Sequence, residues 1–390
     1  MTGTTYGPRE LIDKLIGFDT TSRDSNLDLI AFVQDYLAGW GVESLLLPNE
    51  DGSKANLYAT VGPDKAGGIV LSGHTDVVPV DGQDWSTDPF EVVERDGRLF
   101  GRGTCDMKAF IAIALAKVPD LVSQTLSTPI HFALSYDEEV GCLGVRPLVE
   151  HIKQHLPLPA VVIVGEPTDM TVVNAHKSGH RFITEVTGLE GHSSLPHQGV
   201  NAIMVAGEML GEINRAAEEL KAQPDCDHRF DPPYTSIHVG LIEGGTALNI
   251  IPLKCKIDWE ARGLPGFDAG ALVDRMNDYA AEHLIPKMHA VSPDTSIVTE
   301  HTDEIPALVP QDGSPAETLV MALARQNETF AVSYQTEAGY FQAIDIPTVI
   351  CGPGSITQAH KPDEYVSLEQ VDRCSKFLDR LVAHAAGSPI

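Results

Sequence analysis

The chain has 390 residues, 43% of them hydrophobic and 21% charged, which is typical of globular proteins and excludes disordered and fibrous classes. Its 55 Asp and Glu outnumber 27 Lys and Arg, so the formal net charge is −28. Such a charge would repel nucleic acid and anionic lipid and attract cations. We therefore expect neither nucleic acid nor a membrane as a partner. At this length we expect two domains.

The N-terminal residues lack a basic cluster followed by an apolar core, so we predict no signal peptide. No apolar run approaches membrane-spanning length. The six cysteines are scattered without a CxxC pair, which argues against a disulfide framework and a thiolate zinc site. We therefore expect a cytoplasmic protein.

Helices and strands alternate through the first half of the chain. Apolar residues at helical spacing predict two helices between Pro8 and Leu37, and further helices at 107–118 and 145–155. Between them lie the β-rich runs "NLYATVG", "GGIVLSGHTD", "IHFALSYDEE" and "PAVVIVGEPT". This order predicts an α/β fold, a mixed sheet with helices on both faces.

A second pattern begins near Gly179. It predicts strand, helix, strand, strand, helix and strand, with the helices at 202–222 and 269–283. This is the order of a split βαβ, or ferredoxin-like, α+β domain. We therefore expect one domain from residues 1–178 and 295–390, interrupted by an inserted domain at 179–294.

Several acids and histidines follow predicted strands. His74 and Asp76 lie two residues apart, so a metal-bound imidazole could be oriented by the neighbouring carboxylate. Glu138 and Glu139 point in opposite directions if extended, and could serve two roles at one site. Alone, each motif is weak evidence for a site. The alternative for His74 and Asp76 is a hydrogen-bonded structural pair, and the alternative for the acidic run is a solvated strand end followed by a glycine turn.

Three further candidates come from separate segments. Asp106 in "GRGTCDMK" precedes a helix and could be only an N-cap. Glu166 ends a strand in "VIVGEPTD", and His360 lies in the Gly- and Pro-rich loop "GPGSITQAHKPDEY". The paired glycines before Asp106 also suggest a dinucleotide loop, but the third glycine is missing and the aspartate would repel a pyrophosphate.

Taken together, these residues predict a metal centre at the carboxyl edge of the sheet. The candidate ligands offer imidazole and carboxylate without thiolate, which suits Zn, Co or Mn; they are His74, Asp106, Glu139, Glu166 and His360. Five ligands can hold two ions if one carboxylate bridges, and such a pair, roughly 3.5 Å apart, would generate hydroxide near neutral pH. Glu138 would then be free to act as a base, and Asp137 would face solvent.

The motifs "SGHTDVVPV", "GRGTCDMK", "DEEVG", "GEPT", "GHSSLPH", "GGTALNIIP" and "GPGSITQAHKPDEYV" occur in an order that resembles one family. It is the acetylornithine deacetylase and succinyl-diaminopimelate desuccinylase family of di-zinc amidohydrolases. The resemblance implies a zinc-exopeptidase-like catalytic domain, an inserted lid and dimerisation domain, and a homodimer. It also implies two zinc ions, with cobalt as an alternative, and a cis peptide after Asp106. Ala109 departs from the family pattern, where we expect glycine.

The resemblance also implies roles for particular residues. His74, Asp106 and Glu166 would hold one zinc, while Asp106, Glu139 and His360 would hold the other. Glu138 would be the general base, and Asp76 would orient His74. In the inserted domain, His192 would stabilise the oxyanion in the partner subunit's site, while Asn249 and Arg262 would contact the substrate's amide and carboxylate. For these three, a turn residue, a turn cap and a surface ion pair remain the alternatives.

Within the family, the sequence looks most like enzymes that hydrolyse N2-acetyl-L-ornithine to ornithine and acetate in arginine biosynthesis. Glu337 would then pair with the substrate's δ-ammonium group. A succinyl-diaminopimelate desuccinylase remains an alternative, with Lys177 or Arg181 holding the succinyl carboxylate. A broader N-acyl-amino-acid amidohydrolase and a non-catalytic metal-binding scaffold also remain. No GxSxG or HExxH motif supports a serine hydrolase or a helical zinc protease.

Overall fold

The computed structural model describes residues 3–224 and 226–389. The chain divides into two compact units. The larger unit contains the residues up to Ala175, Leu308–Ala331 and the residues from Thr336 onward, and the smaller contains His176–Ala307 and Val332–Gln335. The predicted insertion at 179–294 falls within the smaller unit, and its role as a lid and dimerisation domain stays a prediction.

The elements follow one another in this order. Up to the smaller unit they are α1 Pro8–Ile16, α2 Leu27–Gly39, β1 Ser44–Pro48, β2 Ala55–Val61, β3 Ile69–His74, β4 Val93–Arg95, β5 Arg98–Phe100, α3 Lys108–Leu115, α4 Val118–Ser123, β6 Ile130–Ser135, α5 Val145–His155, β7 Val161–Pro167 and β8 Val173–His176. The smaller unit has β9 Ser178–Thr187, β10 Gly191–His192, α6 Ala202–Ala222, β11 Ser236–Gly244, β12 Ile250–Ile251, β13 Lys254–Gly263, α7 Ala269–Tyr279, α8 Ile285–His289 and β14 Ser296–Ile305. The chain then forms α9 Pro315–Ala324, β15 Phe330–Val332, α10 Ala338–Ala343, β16 Thr348–Gly352, β17 Tyr365–Ser367 and α11 Leu368–Ala385.

The main sheet of the larger unit has eight strands in the order β1-β2-β6-β3-β7-β16-β8-β15. Its four middle strands, β6, β3, β7 and β16, run parallel to one another, whereas β2 and β8 flank them in the antiparallel direction. Parallel strands end at a common edge, so the segments after these four strands meet there. The α/β class and mixed sheet predicted from the sequence are confirmed.

Helices cover both faces of this sheet. Helix α3 packs on β3 and contacts α1 and α11, while α5 packs on β6 and α10 on β7 and β16. The middle strands are buried along their whole length, as in "IVLSGH" and "VVIVGEP". Burial on both faces explains why these strands appear in the sequence as continuous apolar runs rather than alternating ones.

A second, three-stranded sheet in the larger unit was not predicted from the sequence. It has the order β17-β5-β4, and Tyr365 lies opposite Phe100. Its strands have only three residues each, too few for an alternating pattern to be recognised. This sheet brings the segment that follows His360 next to the loop that carries Asp106.

The smaller unit contains a four-stranded antiparallel sheet in the order β11-β13-β9-β14. Helix α6 packs on β9, β11 and β13, and α7 packs on β14, so the helices cover one face. The core beneath them contains Phe182 stacked on Trp259, with ring centroids 4.3 Å apart. This is the predicted ferredoxin-like arrangement. In the described part of the chain, no helix is long and apolar enough to cross a bilayer.

Candidate active site

The carboxyl edge of the main sheet gathers the predicted metal ligands. His74 is the last residue of β3, and Glu166 lies at the end of β7. Glu139 follows β6 by four residues, and His360 lies in the loop after β16. The strand order therefore places ligands that are almost 300 residues apart in one region.

Asp106 reaches this region by a different route. It lies immediately ahead of a helix, as the sequence analysis expected, in the turn between β5 of the small sheet and helix α3. The peptide bond from Asp106 to Met107 is cis, as the resemblance implied. Ala109, the departure from the family pattern, is fully buried in the first turn of α3 and contacts none of these ligands through a hydrogen bond.

Two imidazoles face the two oxygens of the Asp106 carboxylate. His74 Nε2 lies 3.0 Å from Asp106 Oδ1, and His360 Nε2 lies 3.4 Å from Asp106 Oδ2. His74 Nε2 is also 3.6 Å from Glu166 Oε1, and His360 Nε2 is 3.0 Å from Glu139 Oε2. The five predicted ligands thus form two sets that share Asp106. Their role as ligands stays a prediction.

Asp76 connects the His74 side of the cluster to the acidic segment, residues 137–139. His74 Nδ1 donates to the Asp76 carbonyl at 2.9 Å and lies 3.5 Å from the Asp76 carboxylate. That carboxylate accepts hydrogen bonds from Ser22 Oγ at 2.7 Å and from the backbone N–H groups of Glu138 and Glu139. Burial opposes ionisation, but the bond and charge of His74 outweigh it, so the pKa of Asp76 is lowered. Asp76 therefore fixes both the imidazole and the adjacent backbone.

The three adjacent acids have three different environments. Asp137 does not face solvent, as the sequence suggested, because it forms an ion pair with Lys54 at 2.5 Å. Glu139 contacts His360. One carboxylate oxygen of Glu138 instead lies within 4.8 Å of the candidate ligand atoms of His74 and Glu166. Glu138 Oε1 accepts a hydrogen bond from Cys142 Sγ at 3.3 Å. Glu138 and Glu139 lie in a bend and a turn rather than in an extended segment, and each approaches His74 as part of a different group of candidate ligands. Their separate roles stay a prediction.

Glu337 occupies a place that does not suit its predicted role. It is completely buried, and its two oxygens accept hydrogen bonds from Ser72 Oγ at 2.5 Å and Ser135 Oγ at 2.7 Å. Burial raises the pKa of this carboxyl group. Because both oxygens are engaged beneath the sheet edge, this arrangement argues against contact between Glu337 and a substrate ammonium group.

The remaining predicted residues lie in the smaller unit. His192 is exposed in β10, and its Nδ1 accepts hydrogen bonds from the N–H and the hydroxyl of Ser194. Asn249 lies in the exposed loop before β12, and its backbone carbonyl accepts a hydrogen bond from the Ser193 N–H. Arg262 forms an ion pair with Glu260 at 3.0 Å, which was the alternative considered for it. Their predicted contacts with substrate remain predictions.

The sequence profile of the family described as "Peptidase family M20/M25/M40" matches residues 70–384. The chain belongs to this family. An acetylornithine deacetylase from Pasteurella multocida is 36% identical over 360 residues, covering 92% of this chain and 91% of that protein. The family resemblance inferred from the motifs is therefore confirmed, and the protein is an M20-type metallo-amidohydrolase.

Solved structures show the same fold at low sequence identity. An aminopeptidase PepT from Bacillus cereus has a TM-score of 0.75 at 18% identity, covering 98% of this chain and all of that one. A dinuclear metal-binding peptidase of the M20 family from Bacillus subtilis has a TM-score of 0.67 at 15% identity, covering 97% and 98%. These two similarities support the two-unit M20 fold.

The cluster of predicted ligands suits divalent cations on the basis of its own charges. Four carboxylates, those of Asp106, Glu138, Glu139 and Glu166, crowd around only two imidazoles. Burial and the neighbouring acids raise the pKa of Glu139 to about 7 and the pKa of Glu166 well above its usual value. Buried negative charges are costly unless they are paired or bind metal, so this donor set suits cations.

One residue that shapes this M20 site was missed by the sequence analysis. Glu364 is buried, and its Oε1 accepts hydrogen bonds from the backbone N–H groups of Gly103, Cys105 and Asp106 at 2.8 to 3.1 Å. Its Oε2 accepts from Arg102 Nη1 at 2.6 Å. Glu364 thus holds the loop that presents Asp106. The only signal in the sequence was an acid four residues after His360.

Replacing Glu364 tests this support. We expect Glu364→Gln to lower the free energy of unfolding by about 3–5 kcal/mol, because it leaves the Arg102 guanidinium buried without its counter-charge. Metal content should fall as well, since the neutral amide oxygen of glutamine holds the loop carrying Asp106 more weakly than the carboxylate does. Urea unfolding and elemental analysis of the full-length protein measure both effects.

Asp372→Asn is the matched control. Asp372 pairs with Lys376 at 2.5 Å on the surface of α11, where such a pair contributes less than about 1 kcal/mol. If Glu364→Gln were as stable as this control and kept its metal, the proposed support of the loop would be wrong.

Proposed function

We propose that the protein hydrolyses the acetyl amide of N2-acetyl-L-ornithine, giving L-ornithine and acetate, as a cytoplasmic enzyme of arginine biosynthesis. The observation that carries this proposal is the 36% identity to an acetylornithine deacetylase over 92% of the chain. The clustered ligands support it, because amide hydrolysis by a metal centre needs such a donor set.

In this proposal His74, Asp106 and Glu166 would hold one zinc ion, and Asp106, Glu139 and His360 would hold the other. When bound, the ions polarise the acyl carbonyl and lower the pKa of the attacking water. The opposed placement of the two Asp106 oxygens, 3.0 Å from His74 Nε2 and 3.4 Å from His360 Nε2, supports a bridging role. Cobalt is the alternative metal, since the same imidazole and carboxylate donors suit it.

Glu138 moves the proton. It would take a proton from the attacking water and return it to the leaving amine, while Asp76 keeps His74 oriented. The geometry supports this division of roles, because the Glu138 backbone is fixed by Asp76 and its side chain points into the ligand cluster. The thiol of Cys142 is only a weak hydrogen-bond donor, so it leaves the Glu138 carboxylate able to exchange a proton.

The smaller unit would complete the site in a homodimer. His192 of the partner subunit would stabilise the oxyanion, and Asn249 and Arg262 would contact the substrate's amide and carboxylate. Exposed apolar side chains on the smaller unit support burial against a second copy: Leu248 is fully exposed, Met204 is 70% exposed and Leu241 is 62% exposed. Arg262 would have to exchange Glu260 for the substrate.

Succinyl-diaminopimelate hydrolysis is the competing function, and one observation counts against it. A desuccinylase needs a free basic residue for the succinyl carboxylate. Lys177 is buried, and its Nζ donates to the carbonyls of Pro232 at 2.8 Å and Tyr234 at 2.7 Å. Of Lys177 and Arg181, only Arg181, which is exposed on β9, could still hold the succinyl carboxylate.

A substrate panel tests the proposed function. We expect kcat/KM for N2-acetyl-L-ornithine to exceed that for N-succinyl-diaminopimelate and N-acetylmethionine by at least about tenfold, with added zinc or cobalt. A higher kcat/KM for the succinyl substrate would reject the deacetylase assignment. Absence of hydrolysis of all three by metal-loaded protein would favour the scaffold alternative.

Glu138→Gln tests the general base. We expect this variant to retain its bound metal and to lose about 10²- to 10⁴-fold in kcat, which is the usual contribution of a positioned base. Elemental analysis and steady-state kinetics give the two quantities. The exposed Glu150→Gln is the matched control and should behave as wild type. Wild-type kcat in Glu138→Gln would remove Glu138 from the mechanism.

Mixing two inactive variants tests the shared site. If Glu138 of one subunit acts with His192 of the other, then Glu138→Gln mixed with His192→Ala restores one intact site in each heterodimer. Random mixing should recover about a quarter of wild-type activity. No recovery, with heterodimers shown by native mass spectrometry, would place His192 in its own subunit's site.

A further inference from the structure

Three metal-binding side chains meet in the smaller unit, outside the site described above. They are His180 on β9 and His301 and Glu304 on β14, and their ligand atoms lie within 4.8 Å of one another. We propose that these three residues bind one transition-metal ion, separate from the ions of the catalytic centre. The ion would join the edge strand β14 to its neighbour.

A β-bulge places the three side chains on one face of the sheet. His301 and Glu304 are three positions apart, so a regular strand would direct them to opposite faces. The register shifts between His301 and Asp303, so that His301 lies opposite Phe182 and Glu304 lies opposite His180. His180 and Phe182 share a face, and both β14 residues therefore join His180 there. Bulges commonly redirect side chains in this way at functional sites.

The hydrogen bonds of His180 determine which nitrogen carries its lone pair. Ser178 Oγ donates to the Gly263 carbonyl at 3.3 Å, so it accepts a hydrogen bond from His180 Nε2 at 2.9 Å. With Nε2 protonated, the lone pair of the neutral imidazole lies on Nδ1. His180 Nδ1 faces His301 Nε2 at 3.2 Å. In metal-bound histidines, one ring nitrogen usually binds the metal while the other is held by a hydrogen bond, as it is here.

The distances match those around a small divalent ion. Two nitrogens bound to one tetrahedral zinc at about 2.0–2.1 Å are about 3.3 Å apart. The 3.2 Å between His180 Nδ1 and His301 Nε2 needs almost no adjustment. Packing fixes both rings, since His301 stacks on Phe182 with centroids 5.1 Å apart and His180 packs on Phe267 at 5.5 Å. The donors are therefore organised before the ion binds.

The donor types indicate the chemical class of the ion. Two imidazoles and one carboxylate suit zinc, cobalt, nickel or copper, and they do not suit calcium or magnesium, which prefer oxygen ligands alone. His180 is buried, whereas His301 and Glu304 are exposed. An ion could thus enter from solvent and bind at the edge of the sheet, with water completing its coordination. Its expected effect is structural, because it would hold β14 against β9.

The number of bound ions tests this proposal. Full-length protein is loaded with zinc, separated from free metal by gel filtration and measured by elemental analysis. We expect His301→Gln to carry one ion fewer per chain than wild type, since it removes an exposed imidazole ligand. Glu304→Gln should weaken the same site in a zinc titration. Neither measurement depends on catalytic activity, so failure of the proposed reaction would leave it intact.

His238→Gln is the matched control, because His238 is an exposed histidine on β11, the other edge strand of the same sheet. It should bind as many ions as wild type. Equal zinc content in wild type and His301→Gln would overturn the proposal and leave a plain hydrogen bond between His180 and His301. Equal losses in His301→Gln and His238→Gln would also overturn it, because they would indicate non-specific binding to exposed imidazoles.

Discussion

The candidate site of the larger unit depends on the crowding of four carboxylates around two imidazoles at one edge of its main sheet. In this partly buried region the acids repel one another, and bound cations would relieve the repulsion. Asp106 is at the centre of this arrangement, since its two oxygens face His74 and His360. Because the predicted ligands come from distant segments that only the folded sheet brings together, metal binding here would be coupled to the folding of this region.

Buried acids outside the predicted ligand set hold the predicted ligands in place. Asp76 fixes His74 and the backbone of the acidic segment, and Glu364 holds the loop that presents Asp106. Glu337 bonds the serines of two neighbouring parallel strands beneath the same edge. Each of these carboxylates accepts several hydrogen bonds, which offsets the cost of its burial. Such supporting bonds keep the ligands in one geometry.

Local patterns predicted most of the fold. Helical periodicity gave α6 at its observed bounds, and apolar runs ending in His74 or Glu166 predicted strands whose ends would meet. The errors share a physical cause, because each depends on a partner far away in the sequence. Asp137 pairs with Lys54, and Glu337 binds serines more than 200 residues distant. The β14 bulge likewise follows from pairing with β9, which the sequence of β14 alone does not reveal.

One carboxylate shared by two imidazoles would organise a two-ion centre, and the metal content of Asp106→Asn tests this most directly. Asparagine keeps the shape of the side chain but lacks the charge and the second anionic oxygen. Elemental analysis of folded wild type and Asp106→Asn, prepared in the same way, should show that the variant has lost both ions of this centre. A folded Asp106→Asn protein that binds as many ions as wild type would contradict the account.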